Sequence, residues 1–119
     1  WSSDVCSSDL GDGSVIRHLG SRASLGYQQP PDPEDEPNDQ VINYAPGDAF
    51  VIVTDGFTDQ VGGNPEALSS FGYRRITQVL SEMAGTPADR ITARLKEEFD
   101  LWCGAQRRRD DLTVIAFTL

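Results

Sequence analysis

The sequence predicts an α+β domain, with a largely antiparallel sheet carrying a pair of helices on one face. Three observations carry this. The segments run strand, strand, strand, helix, helix, strand, without the strand–helix alternation that builds a parallel sheet. The strands meet through short turns rich in Gly, Pro and Asp. Two successive segments in the second half space their apolar residues at helical period.

Each element follows from its own residues. Ser14-Val15-Ile16-Arg17-His18-Leu19 follows a Gly-Asp-Gly turn and reads as a short strand. Gln40 to Tyr44 reads as a second, turned by Ala45-Pro46-Gly47-Asp48 into a buried apolar strand from Phe50 that ends at Asp55. Phe71 to Met83 places Ile76, Val79, Leu80 and Met83 on one helical face, and Ala84-Gly85-Thr86 stops it. Thr86 at the N-cap, Pro87 at the first helical position and Asp89 in a capping-box-like place start the next helix. That helix buries Ile91, Leu95, Phe99 and Trp102, and Gly104 ends it. A last apolar strand runs to Leu119. Met83 and Trp102 read as core packing rather than cofactor contacts.

Composition narrows the function. The chain has 119 residues, enough for one domain with a modest core. Its net charge of −9 argues against a nucleic-acid partner. No apolar run reaches membrane-spanning length, so no membrane contact is expected from this chain. Cys6 and Cys103 form no disulfide framework, and reduced thiols in the cytoplasm are expected. Residues 28–39 carry Pro30, Pro31, Pro33 and Pro37 among five acidic side chains and read as a solvated loop. Residues 1–10 hold the near-repeat Ser-Ser-Asp-Val and Ser-Ser-Asp-Leu, with no helix or strand period. They look like a translated sequencing-adapter scar, a non-native lead-in to be excluded from the fold, leaving 11–119 as the domain.

The chemistry sits in two acidic motifs. Phe50 to Gly56 is an apolar run ending in Asp55-Gly56. Arg109-Asp110-Asp111 opens the apolar run Leu112 to Phe117. If the two strands are antiparallel neighbours, the end of one abuts the start of the other, and Asp55 meets Asp110 at one sheet edge. Carboxylates gathered there repel one another unless a divalent cation lies between them, and all-oxygen donors suit Mg²⁺ or Mn²⁺. Taken alone, Asp55 reads first as an ordinary turn residue after a strand.

Pro46-Gly47-Asp48-Ala49-Phe50-Val51-Ile52-Val53-Thr54-Asp55-Gly56 resembles the strand and Thr-Asp-Gly motif of the SpoIIE-type branch of the PPM (PP2C-like) serine/threonine phosphatases. Arg108-Arg109-Asp110-Asp111-Leu112-Thr113-Val114 is similar to that branch's closing Asp-Asp-x-Thr motif. The resemblance implies a four-layer αββα sandwich of which this chain holds the C-terminal portion. It also implies a two-metal Mn²⁺ or Mg²⁺ site whose bound water hydrolyses phosphoserine or phosphothreonine, with no other catalytic group. Asp55 and Asp110 match metal-binding positions; Asp111 matches a neighbour that is often Asn and, with Gly56, takes a supporting role. Gly56 is expected to permit a tight turn after the ligand. The phosphoprotein partner implied is a regulatory bacterial protein, a small STAS-type anti-sigma antagonist. Thr58-Asp59-Gln60-Val61-Gly62-Gly63 departs from the commoner pattern, which has Glu near Asp59, and is closer to a membrane-anchored sub-branch that controls biofilm formation.

The family's other ligands belong to its N-terminal half, and no matching motif precedes Asp55. Gly11-Asp12-Gly13 leads straight into a strand that fits a later position, so no ligand role passes to Asp12. The chain alone is therefore expected to be inactive, with unpaired strand edges and an apolar face left uncovered. Arg107, Arg108 and Arg109 read as exposed charges, or as a phosphate-recruiting cluster; Arg74 and Arg75 read as solvated. Two other readings stand behind the phosphatase. One is a non-catalytic PPM-like interaction module. The other is a haloacid-dehalogenase-type phosphatase, ranked low because Val53 stands where its nucleophile would be and βαβ alternation is missing.

Overall fold

In a computed structural model, the described residues are 13–20 and 39–119, with the backbone of 4–8. A four-stranded antiparallel sheet has the order β2-β1-β3-β6, formed by β1 (Asp4–Ser8), β2 (Val15–His18), β3 (Ala49–Val53) and β6 (Val114–Thr118). Between β3 and β6 come a one-turn helix α1 (Asp55–Thr58), a small hairpin β4 (Val61–Gly62) and β5 (Ser69–Ser70), and two helices, α2 (Gly72–Glu82) and α3 (Ala88–Cys103).

Alternation sorts the sheet's two faces. Ala49, Val51 and Val53 of β3, with Val114 and Ala116 of β6, face α2 and α3. Those helices return Ile76, Val79, Leu80, Ile91, Leu95 and Phe99 to the same core. Phe57, Phe71 and Phe99 are its centre, with ring centroids 4.9 to 6.1 Å apart. Truncating one of these rings to Ala costs about 3–5 kcal/mol, because the packed surroundings relax only in part. Met83 and Trp102 pack against this core, as their helical spacing predicts. Cys103 is a free, buried thiol at the end of α3, its pKa pushed up by burial and by Asp100 against the opposing pull of Arg108.

The opposite face is apolar and open. Ile16 and Ile115 are 59% and 52% exposed, and Phe117 stacks on Phe50 across the strands at 5.4 Å. The uncovered face expected from the sequence is found at β6, whereas Phe50 of β3 is buried on the same side.

Four local expectations differ from what is found. The lead-in contributes a strand: β1 pairs β2 on one side and β3 on the other, from Asp4↔Val53 to Ser8↔Ala49. Backbone ladders do not require apolar side chains, which is why the hydropathy pattern was silent there. Gln40 to Tyr44 forms no strand, because β1 and β6 already occupy both flanks of β3; Val41 is 89% exposed. At the start of α3, Pro87 rather than Thr86 holds the cap position, and no side chain caps it. The Thr86 hydroxyl donates instead to the Met83 carbonyl at the end of α2. Arg75 is not free in solvent: it lies over the Trp102 ring at 3.5 Å and donates to the Phe71 carbonyl at 2.8 Å. Residues 28–38 of the acidic loop, and Asp12, lie outside the described residues.

Candidate functional site

The antiparallel pair β3–β6 ends at Val53↔Val114. One further rung follows it. The Thr54 N–H donates to the Thr113 carbonyl at 3.1 Å, and the Thr113 N–H donates to the Thr54 hydroxyl at 3.1 Å. Beyond that rung the strands part, and the acidic residues stand on either side of the gap. Thr54, Asp55, Asp110, Asp111 and Thr113 line one cleft of about 190 Å³. The structure therefore brings Asp55 and Asp110 to the same edge of the sheet, with Asp111 beside them.

Local geometry fixes each member. Asp55 opens α1 rather than closing β3, and its carbonyl accepts the Asp59 N–H at 2.8 Å. The Asp110 carboxylate accepts the Asp111 N–H at 2.8 Å. Gly56 acts differently from the sequence expectation. It is helical, and a Cβ there would lie 2.1 Å from the Asp111 carbonyl oxygen. Close approach of α1 to the Asp110–Asp111 segment, rather than a left-handed turn, is what demands glycine. Gly62 and Gly63 do the same for α3, where a Cβ would lie 2.0 Å from the Trp102 carbonyl oxygen and 2.5 Å from its ring, respectively.

The three carboxylates are exposed, and neither Asp55 nor Asp110 enters an ion pair among the described residues. Arg107, Arg108 and Arg109 are exposed, as read from the sequence. A cleft lined by carboxylates, with no basic side chain among its described lining, favours a cation. Its donors are all oxygen, which suits a hard ion such as Mg²⁺, commonly held by one or two carboxylates and several waters. Asp55 and Asp110 fit that role. No group of three or more His, Cys, Asp or Glu is arranged around an ion position among the described residues.

Sequence reasoning missed three contributors. Thr54 and Thr113 stand inside the two motifs, and their recurrence beside the acidic residues was the available signal. Gln60 gave none: it is a polar residue whose side chain is 1% exposed, for reasons visible only in three dimensions.

Comparison with known proteins decides the family. A family model described as stage II sporulation protein E (SpoIIE) matches residues 10–119. The chain belongs to the SpoIIE family. Its fold is that of a PP2C domain: the SiaA-PP2C domain of Pseudomonas aeruginosa superimposes with a TM-score of 0.79 at 27% identity. The match covers 98% of this chain and 43% of that one, so the SpoIIE-family chain spans less than half the length of that structure. No curated protein matches the chain. The family match and the superposition agree on a PP2C-like fold.

Proposed function

We propose that this chain supplies one side of the metal site of a serine/threonine phosphatase, with Asp55 and Asp110 as ligands for Mn²⁺ or Mg²⁺. The observation that carries the reading is the meeting in one cleft, beyond the last rung of β3 and β6, of two carboxylates with no ion-pair partner among the described residues. A bound divalent ion supplies Lewis acidity, making water a better nucleophile and offsetting charge on a phosphoryl group. The chain's own part is placement. The Thr54–Thr113 rung sets the gap between the two acidic segments, Gly56 lets them approach, and the Asp111 N–H orients the Asp110 carboxylate.

The remaining ligands of a two-metal site would come from outside this chain, in a protein phosphatase domain more than twice its length. The open face bearing Ile16, Ile115 and Phe117 would be covered there. The substrate would be a cytoplasmic phosphoserine or phosphothreonine protein, a STAS-type anti-sigma antagonist being the family-based choice.

The test is hydrolysis of a phosphoserine peptide by the intact protein with Mn²⁺ or Mg²⁺, with and without EDTA. Metal-dependent turnover that EDTA abolishes supports the reading; turnover indifferent to EDTA overturns it. Metal binding without hydrolysis would favour the non-catalytic interaction module.

A further inference from the structure

Gln60 lies one residue past the C-cap of α1, the helix that begins at Asp55. Its backbone carbonyl accepts the Phe71 N–H at 2.8 Å, which ties it to the start of α2. Its side chain points away from that tie and into the chain segment that leads to Asp110. The side-chain oxygen accepts the Arg109 N–H at 3.3 Å. The side-chain nitrogen donates to the Arg107 carbonyl at 3.2 Å and to the Val61 carbonyl at 3.0 Å. Both ends of one buried amide are thus used, and two of its three bonds reach backbone 47 and 49 residues away.

We propose that Gln60 is a positioning residue for Asp110. It clamps the backbone immediately before that carboxylate to the end of α1, the one-turn helix that Asp55 begins, and so sets the relation between the two. The inference rests on the metal-site reading above. The exposed Arg107–Asp110 segment has no regular structure of its own, and the Gln60 side chain bonds its backbone at Arg107 and Arg109. A buried amide is suited to this because it offers donor and acceptor together and adds no charge to an acidic cleft. Outer-shell groups that orient a ligand control metal affinity without touching the metal.

The test uses the intact protein. Gln60→Met keeps length and burial but loses the bonds; Gln60→Asn keeps the amide but falls one methylene short; Gln60→Glu keeps the shape and the acceptor for Arg109. Leu95→Ala serves as a control, destabilised without contact with the cleft. Two quantities are read: amide hydrogen exchange at residues 109–111 relative to the β3–β6 ladder, and Mn²⁺ affinity by electron paramagnetic resonance. Gln60→Met and Gln60→Asn should speed exchange selectively at 109–111 and weaken Mn²⁺ binding about 10–100-fold, a typical outer-shell loss. Gln60→Glu should not recover that loss, because a carboxylate oxygen replaces the donor facing the Arg107 and Val61 carbonyls and adds charge; Leu95→Ala should change neither quantity. If Gln60→Met does not fold, Gln60→Asn carries the same comparison. Wild-type exchange and affinity in the folded variants, even with a lowered Tm, would make Gln60 a packing residue only and overturn the proposal. Mn²⁺ binding that survives Asp55→Asn unchanged overturns the metal-site reading instead, and the exchange measurement still decides the role of Gln60.

Discussion

Strand β3 has an aspartate near each end, and the two are used in opposite ways. Asp48 stands just before the strand. Its carboxylate accepts the Ala45 N–H at 2.8 Å, its N–H donates to the Ala45 carbonyl at 3.0 Å, and its carbonyl accepts the Leu119 N–H at 3.1 Å. The backbone and one carboxylate oxygen are used in closing a turn and pinning the end of β6, while the other oxygen, Oδ1, is buried without a hydrogen-bond partner. Asp55 stands just after the strand. Its backbone is used in α1, but its carboxylate has no protein partner among the described residues and faces the cleft with Asp110. The residue type and the strand are the same and the ends opposite: the local backbone engages one carboxylate and leaves the other to the cleft.

That contrast can be broken, starting with the largest effect. In the intact protein, Asp55→Asn or Asp110→Asn should lower metal-dependent hydrolysis of a phosphoserine peptide by more than about 100-fold, beyond the usual outer-shell loss. Stability should stay within about 0.5 kcal/mol of wild type, as for other exposed changes. Unchanged turnover at limiting metal in both variants refutes the ligand assignment. Gly56→Ala comes next. The new methyl cannot coexist with the Asp111 carbonyl, so denaturant melts should show a loss of about 1–3 kcal/mol, typical of overpacking, together with weakened Mn²⁺ binding. Stability loss without a change in metal binding would detach Gly56 from the cleft. Asp48→Ala should cost about 1 kcal/mol, one turn hydrogen bond, and leave turnover at the wild-type level. A large activity loss there would erase the distinction between the two ends. Smallest is Lys96→Ala, which breaks an exposed pair with Asp100 on α3 and should move stability by no more than about 0.5 kcal/mol, with turnover unaffected.

Strands β3 and β6 and helices α2 and α3 were readable because each buries one face and so imposes a period on its residues. The Asp55–Asp110 meeting was readable because each carboxylate is attached to the end of such a strand. Strand β1 was not, since its place depends on ladders offered by β2 and β3. The same competition removed Gln40–Tyr44 from the sheet despite its strand-like composition. The hairpin β4–β5, two residues a side, is too short to leave a pattern. Thr86 had the residue type of a cap but spent its hydroxyl on the preceding helix. Gln60 was hidden for the deepest reason: its partners are backbone groups, which every residue possesses and no sequence distinguishes.

The rung between Thr54 and Thr113 joins residues 59 positions apart. Contacts of that range lose chain entropy before any interaction offsets it, and they slow folding more than they weaken the finished structure. The acidic cleft is therefore expected to form late in folding, after α2 and α3 have brought the two strands within reach. Lengthening the α2–α3 connection should lower the rate at which metal-binding capacity appears during refolding, while the affinity finally reached stays the same.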